Sequence, residues 1–283
     1  MRENTGRMTM TRRWMAALAG ALMAAAPAGA QTLNAPDTAA QRSPHLFTHR
    51  DLLIAGGFAA GAVVMAPLDR TIARELQDSS VQANTILRKS ATGARLLGAP
   101  GSLIISGGLF VVGRAIGHPH VADTGLHTFE SILLAESITT LTKGVAGRAR
   151  PYASPRDPFN YGFGRGFHGD EHQSMPSGHT SAAFAAAAAG ASEVGHWWPQ
   201  HRTLAAVTLY SAASLVGISR MYNNKHWASD VVVGAGIGAF SGWKVVGYTH
   251  AHPGNPIDRL LLRTRIEPAG NGGMAFVWSA PTR

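Results

Sequence analysis

Glycine recurs at every fourth position in an apolar segment that runs over residues 227–248. In a helix, Gly234, Gly238 and Gly242 fall on one stripe without side chains, so a second helix can approach closely. The segment 179–191 consists almost wholly of alanine and other small residues, which favour a helix and permit such an approach. The sequence therefore predicts that these two segments form closely packed helices.

Most of the chain between residues 52 and 248 has the apolar spacing of helices. Further helices are predicted over 52–65 with a break at Pro67 and an amphipathic continuation, over 81–97, over 98–116 and over 203–218. Another should start at a cap formed by Asp123 or Thr124 and end at Pro151. We therefore predict an all-α helical bundle.

One face of the helix that precedes Pro151 is expected to point into this bundle. Leu134, Ile138, Leu141 and Val145 recur there at helical intervals.

The two ends of the chain differ from this helical part. Residues 1–30 have a basic start, a 13-residue apolar run and the triplet Ala28-Gly29-Ala30, which together predict an export signal peptide. Residues 31–48 are polar and are expected to form a flexible arm. The tail 256–283 contains two β-prone stretches around a glycine-rich turn, which predicts a small C-terminal β-hairpin. Residues 49–255 remain as one helical domain.

The hydropathy of the chain lies between that of soluble and of polytopic membrane proteins. Hydrophobic residues make up 45% and charged residues 14% of the sequence. The apolar runs are mostly 13 to 17 residues long and some carry Arg114, Glu130 or Glu136, whereas a span needs about 20 residues. We therefore expect an exported periplasmic protein that is soluble or peripherally attached to the membrane, with an integral inner-membrane protein as the alternative.

The formal charge of +9 indicates that the chain binds a negatively charged partner. No run of five basic residues follows residue 30, and basic residues do not alternate with aromatic ones, so no nucleic acid partner is expected. The chain has no cysteine, which excludes disulfides and thiolate zinc sites. An anionic substrate or an anionic membrane surface is then the favoured partner.

Three short segments combine cations, imidazoles and hydrogen-bond donors. The first contains Lys143 and Arg150, which are seven residues apart and would lie on one face of the predicted helix. A bound anion would offset the repulsion between them, although a solvated basic face is the alternative. The second is Pro176-Ser177-Gly178-His179, where a capping Ser and a small Gly open a helix and leave free N–H groups for an anion.

The third segment contains Arg220, His226 and Asp230. His226 and Asp230 are four residues apart, so on a helix the carboxylate can accept a hydrogen bond from one ring nitrogen and leave the other basic. A surface ion pair is the alternative interpretation of this spacing. The whole set, with three cations, two imidazoles and one carboxylate, suits a tetrahedral oxyanion such as phosphate.

A long irregular stretch, 152–175, separates the first two segments and is expected to cover or shape the binding site. Its His168, Asp170, Glu171 and His172 could ligate a metal, but their spacing lacks a metal-binding periodicity. We therefore predict no metal site there.

Taken in order, the three segments resemble the signature of the phosphatidic acid phosphatase type 2 and vanadium haloperoxidase superfamily. The matching patterns are Lys143-x6-Arg150-Pro151, Pro176-Ser177-Gly178-His179 and Ser219-Arg220-x5-His226-x3-Asp230. The resemblance implies the helical bundle of that superfamily, in an exported bacterial member.

The resemblance also implies a phosphatase that works through a phosphohistidine, on a phosphorylated small molecule or a lipid phosphate. By similarity, His226 is the nucleophile, Asp230 orients it and His179 protonates the leaving oxygen. The phosphoryl oxygens would be held by Lys143, Arg150, Ser177, Gly178 and Arg220. No cofactor or metal is expected, since three fixed cations replace it.

Two other functions remain open at this point. The same pocket can hold vanadate as a cofactor, and related proteins then oxidise halides. A non-catalytic periplasmic phosphate-binding protein could use the same donors, although it would not need an oriented nucleophile.

Overall fold

The computed structural model describes residues 48–262, 264–268 and 274–278. The predicted signal peptide, and the predicted arm apart from Thr48, lie outside these residues. Thr48 opens the first helix, because its side chain and that of Asp51 form a reciprocal capping box.

The described part of the chain is a bundle of α-helices, which confirms the predicted all-α class. The helices are α1 His49–Met65, α2 Asp69–Leu76, α3 Ser79–Gln82, α4 Thr85–Leu96, α5 Ala99–Ala115, α6 Pro119–Ala146, α7 Gly178–Trp197, α8 Arg202–Tyr222, α9 Ala228–Ala251 and α10 Pro256–Leu261. Single 3₁₀ turns occupy Ala66–Leu68, Arg165–Phe167, Asp170–His172 and Pro199–His201.

Helix α7 lies at the centre, against α6, α8 and α9. The glycine stripe of α9 packs on it, as the sequence predicts. A Cβ atom on Gly238 would lie 2.2 Å from the Ser181 carbonyl oxygen, and one on Gly242 would lie 2.6 Å from the Ala188 Cβ. Backbone therefore packs directly against backbone at this contact.

Helix α6 begins earlier and ends earlier than its predicted limits. It starts at Pro119 with His118 as N-cap, so neither Asp123 nor Thr124 caps it. It ends at Ala146 because Gly147 adopts a left-handed conformation with φ 55°. The chain then leaves the helix axis well before Pro151, and Arg150 is not helical.

The predicted inward face of α6 is wrong. Leu134, Ile138, Leu141 and Val145 are 37–64% exposed, whereas Ile132, Ala135 and Thr139 are fully buried. The periodicity correctly identified a stripe of large apolar residues. It could not show whether that stripe faces the core or the outside of the bundle. The core of this bundle is lined by small residues instead.

Three stretches are long and apolar enough to cross a membrane: Asp51–Leu76, Pro199–Tyr222 and Ala228–Ala251, of 26, 24 and 24 residues. The pair α4 and α5, bent by 48°, would make a fourth. Large apolar side chains more than half exposed lie on the bundle surface, at Leu52, Leu53, Val63, Val64, Ile104, Ile105, Leu204, Val207 and Leu215. The apolar segments are therefore not too short to span a membrane, because the helices continue through the glycines and prolines that interrupt the apolar runs. These helices favour membrane association.

Helix α1 is attached to α9 along its length. The Phe58 ring fills the space above Gly236, where a Cβ would lie 2.6 Å from the Phe58 Cγ. The Lys244 ammonium pairs with the Asp51 carboxylate near the start of α1. This attachment brings Asp69, just after α1, to the first turn of α9.

The C-terminal segment begins with α10, a helix that the sequence did not predict. Its Asp258 is buried, so the predicted tail 256–283 starts against the bundle. Strands β1 Thr264–Pro268 and β2 Met274–Trp278 then pair antiparallel, with Ile266 opposite Phe276.

The glycine contact between α7 and α9 predicts a position-specific loss of stability. Gly238→Ala places a methyl group against backbone atoms and should lower the free energy of unfolding by roughly 1–3 kcal/mol. Gly247→Ala is the matched control, because nothing lies within 4 Å of its Cβ position and Ala is the better helix former. Thermal unfolding of both variants in detergent checks this. Equal midpoints would contradict the close contact.

Candidate functional site

The N-terminus of α7 forms one wall of the site. Ser177 is the N-cap and Gly178 the first helical residue. Their position is fixed by α9, since a Cβ on Gly234 would lie 2.6 Å from the Ser177 carbonyl oxygen. The Ser177 N–H donates to the Asp230 carbonyl oxygen at 3.1 Å, so this helix start is tied to the third motif.

His179 lies in the first turn of α7. The start of α5 packs against its imidazole, because a Cβ on Gly98 would lie 2.7 Å from His179 Cδ2. The ring is half-buried, and Arg220 and Lys143 of the other two motifs are close enough to act electrostatically on it.

His226 is buried but does not lie on a helix, contrary to the predicted shared helical face with Asp230. Helix α9 starts at Ala228 with Trp227 as its N-cap. The Nδ1 atom of His226 is 2.6 Å from the Ser174 carbonyl oxygen and 3.9 Å from Asp230 Oδ2. Because a carbonyl can only accept, Nδ1 carries the proton and Nε2 keeps its lone pair. The Ser174 backbone, which sequence reasoning missed, thus orients this imidazole.

Asp230 supports the same arrangement from behind. Its Oδ2 accepts from the Ser174 hydroxyl at 2.6 Å and from the Trp227 N–H at 2.8 Å. Its Oδ1 accepts from Arg148 Nη1 at 2.5 Å. The carboxylate therefore holds the segment that carries the carbonyl partner of His226.

Arg148 is completely buried and joins two carboxylates. Besides Asp230, it donates through Nη2 to Asp69 Oδ2 at 2.8 Å, and through Nε to the Pro158 carbonyl oxygen at 2.8 Å. Asp69 also accepts from the Ser229 N–H at 2.8 Å. Sequence reasoning missed both residues, although a charged Asp69 after an apolar helix is a signal that could have found it.

Arg150 reaches the site from the irregular segment after α6, so it shares no helical face with Lys143. Its Nη2 donates to Asp170 Oδ1 at 2.7 Å and its Nε to the Asp170 carbonyl oxygen at 2.7 Å. The Asp170 side chain is 63% exposed and also accepts from the Tyr152 hydroxyl. Asp170 thus positions Arg150. It was one of the four possible metal ligands in the stretch 152–175, and here it pairs with an arginine instead.

Lys143 lies beside Gly178, at the end of α6. A Cβ on Gly178 would lie 3.4 Å from Lys143 Nζ and 3.3 Å from Glu136 Oε2. Glycine therefore leaves more room for both side chains at the helix start. Glu136, which seemed to interrupt an apolar run, in fact faces the site.

Arg220 lies in the last turn of α8 and is buried. Its Nε has no hydrogen-bond partner among the described residues. A buried guanidinium group with an unused donor is costly unless a ligand accepts from it. Arg95, from the last turn of α4, is close enough to act electrostatically on Arg220 and His179, and sequence reasoning missed it.

The cations converge on the two imidazoles. Burial first, and then Lys143, Arg150 and Arg220, hold the pKa of His226 well below its usual 6.5. Burial and the same cations with Arg95, led by Arg220 and Lys143, lower the pKa of His179 to about 4. The structure therefore brings all three predicted motifs to one pocket, and both imidazoles are neutral in it at neutral pH.

The irregular stretch 152–175 borders this pocket, as predicted. Phe159, Phe163 and Phe167 are 59%, 89% and 61% exposed on it. Phe167 also packs over Gly144, where a Cβ would lie 2.1 Å from its ring, so the stretch is fixed to the end of α6. The stretch that borders the cationic pocket thus carries exposed aromatic side chains.

Three comparisons place this geometry among known proteins. Residues 124–253 match the family model of the PAP2 superfamily, and this range contains all three motifs. Lipid A 1-phosphatase from Porphyromonas gingivalis is 46% identical over 83 residues. That match covers 29% of this chain and 18% of the relative, so the chain spans under a fifth of the length of that protein.

The fold has a counterpart in a crystal structure described as the first transmembrane PAP2 type phosphatidylglycerolphosphate phosphatase from Bacillus subtilis. The TM-score is 0.51 at 22% identity, over 71% of this chain and 93% of that one. The shared bundle and the family match over the three motifs agree with each other and with the resemblance found in the sequence. Residues 124–253, which carry all three motifs, therefore match the PAP2 superfamily.

Proposed function

We propose that this protein is a phosphatase that transfers a phosphoryl group to His226 and then to water. Lys143, Arg150 and Arg220 would hold the phosphoryl oxygens, together with the Ser177 hydroxyl and the Gly178 N–H. Phosphoryl transfer needs positioning and cationic donors above all, so no metal is assigned to the pocket.

The observation that carries the proposal is the unused donor of Arg220 beside two neutral imidazoles. Three buried or half-buried cations face the pocket. Among the residues that the structure describes, Asp170 is a hydrogen-bonded carboxylate partner of Arg150, and neither Lys143 nor Arg220 has such a partner. A dianionic phosphate would accept from the free donors and offset the positive charge. A neutral ligand would do neither.

The first step follows from the tautomer of His226. Since Nδ1–H is held by the Ser174 carbonyl, the Nε2 lone pair can attack phosphorus. The bond from phosphorus to the ester oxygen breaks as the N–P bond forms. The leaving oxygen takes its proton from His179, whose pKa rises when the phosphate dianion offsets the neighbouring cations.

The second step reverses these roles. His179, now neutral, removes a proton from water, and the resulting oxygen attacks phosphorus. The N–P bond breaks, its electron pair returns to His226 Nε2, and phosphate leaves. Asp230 and Arg148 stay in place throughout, as the support of the Ser174 segment.

A lipid phosphate is the substrate class that we propose. The apolar helices α1, α5 and α8 expose large side chains to the surroundings, and the stretch that borders the pocket carries three exposed phenylalanines. A relative named for lipid A shares nearly half of its residues over the aligned segment. An integral membrane protein with its pocket outside the cytoplasm fits these features, and resistance of the protein to carbonate washing tests the integral assignment.

A substrate panel tests the activity. Purified protein in detergent should release phosphate from lipid A, phosphatidic acid or phosphatidylglycerolphosphate faster than from a soluble chromogenic ester. Bromide oxidation with added vanadate but no ester hydrolysis would instead indicate a haloperoxidase. Phosphate binding without either reaction would indicate a non-catalytic binding protein.

His226→Ala removes the proposed nucleophile and should lower kcat by at least about 10³-fold, since no intermediate can form. A phosphohistidine is hydrolysed in acid, so the protein should be quenched in alkali before ³²P incorporation is measured. The exposed His201→Ala serves as the matched control and should keep full activity. Undiminished hydrolysis by the His226→Ala protein would contradict the mechanism.

Asp230→Asn tests which group orients His226. Because the Ser174 carbonyl already fixes the tautomer, we expect a loss in kcat of about 10–100-fold. A loss of about 10⁴-fold is typical where an aspartate alone sets the tautomer. Activity should be measured per folded protein, because the variant also removes a charged partner of Arg148. A 10⁴-fold loss in folded protein would contradict the role of Ser174.

The pH dependence follows from the lowered pKa of His226. A group with a depressed pKa stays neutral as the pH falls, so the nucleophile should remain competent below pH 6.5. The acid limb of kcat/KM for His226 is therefore expected below pH 6.5. The pH profile should be measured with two esters whose phosphate groups have different pKa values. An acid limb that belongs to the enzyme stays in place when the ester is changed, whereas one that belongs to the substrate moves. An acid limb at or above pH 6.5 for both esters would contradict the expectation.

A further inference from the structure

A second group of polar residues is buried in the bundle away from the phosphate pocket. His127 of α6, Glu193 of α7 and His250 of α9 meet there. Glu193 Oε1 lies 2.6 Å from His127 Nδ1 and 3.0 Å from His250 Nε2, and the three atoms all lie within 4.8 Å of one another. Three helices thus each direct one potential metal ligand to a single point.

This cluster is separate from the phosphate pocket. His127 precedes Lys143 by 16 residues on the continuous helix α6, which corresponds to roughly 24 Å at 1.5 Å per residue. On α7, Glu193 lies 14 residues after His179, and on α9, His250 lies 20 residues after Asp230. The cluster therefore occupies the opposite end of the bundle, and the proposed phosphoryl transfer does not use it.

Burial makes the cluster unusual. Helix α7 continues to Trp197, and Glu193 is 0% exposed. His127 is also buried, at 3% exposure. A buried carboxylate needs a compensating positive charge, either from protonated imidazoles or from a cation.

The surroundings hold the ligand atoms in orientation. Trp197 Nε1 donates to Glu193 Oε2 at 2.8 Å, which leaves Oε1 directed at both histidines. On the other side of the His127 ring, Nε2 lies 3.5 Å from Asp258 Oδ1 of α10. His127 Nε2 and Asp258 Oδ1 are both buried, and neither atom has a hydrogen-bond partner among the described residues. A carboxylate behind an imidazole is the usual support of a metal-bound histidine, and a small closure would complete it.

Negative charge is in excess at this end. Asp258 is buried like Glu193, and the half-buried Asp123 and Glu130 both act electrostatically on His127. Four carboxylates thus surround two histidines. Because a divalent cation would offset this charge and imidazole nitrogen is a good ligand for zinc, the donor set favours a transition metal over calcium or magnesium.

We propose that His127, Glu193 and His250 bind a divalent transition-metal ion, best matched by Zn²⁺, with Asp258 as the positioning carboxylate of His127. The ion would replace the protons shared between the imidazoles and Glu193. It would join α6, α7 and α9, and through Asp258 also α10. Its binding is expected to stabilise the fold without taking part in phosphoryl transfer.

Zinc titration of the full chain tests this site. Protein carrying a tag without histidine, purified in detergent and stripped with a chelator, should bind one Zn²⁺ per chain by calorimetry and metal analysis. Its unfolding midpoint should rise by a few degrees. Co²⁺ should bind in place of Zn²⁺ and give visible absorption typical of nitrogen and oxygen ligands.

Variants assign the ion to the cluster. Glu193→Gln keeps the size of the side chain and should weaken Zn²⁺ binding at least about 10-fold, as should His250→Ala. His201→Ala removes an exposed histidine, and His226→Ala removes the imidazole of the other pocket. Both of these should bind Zn²⁺ like the unmutated protein.

Two results would overturn the proposal. One is the absence of Zn²⁺ and Co²⁺ binding to the unmutated protein, in which case the cluster is a network of protonated histidines and carboxylates. The other is unchanged binding by Glu193→Gln and His250→Ala. Neither result depends on hydrolysis, so it leaves the phosphatase proposal to its own tests.

Discussion

The buried guanidinium group of Arg148 holds the site together. It pairs with Asp69 after α1 and with Asp230 in α9, and it donates to the Pro158 carbonyl oxygen of the irregular stretch. Removal of one partner would leave an uncompensated buried charge, which typically costs about 3–5 kcal/mol. The position of Ser174, and hence the orientation of His226, depends on this network.

Small residues determine how the rest of the bundle surrounds that network. Because Gly234 and Gly238 let α9 contact the backbone of α7, the start of α7 lies directly above Asp230. The two ends of the bundle then differ in chemistry. One end gathers cations and neutral imidazoles, and the other gathers carboxylates around His127 and His250. The large apolar side chains that usually fill a core lie outside, as expected for a protein in contact with a membrane.

Much of this could be predicted from the sequence. The three motifs are short, and their residue types at fixed spacing indicate an oxyanion pocket. The helices follow from apolar periodicity, and the glycine stripe identifies its own partner because only a helix of small residues can approach it. The length of the irregular stretch marks it as the border of the site. These features are local, or they depend on one contact between two helices.

Only the tertiary structure decided the remaining features, since they depend on contacts between distant segments. A single left-handed glycine, Gly147, ends α6 and sends Arg150 to the pocket by a non-helical path. His226 is oriented by a backbone carbonyl, which carries no side-chain signal. Arg148, Asp69 and Glu193 resemble surface charges in the sequence, and only packing shows that they are buried. Residue types and spacing thus determined the chemistry of the pocket, whereas the partner of each charged group was decided by which helices pack together, because burial and pairing are properties of the assembled bundle.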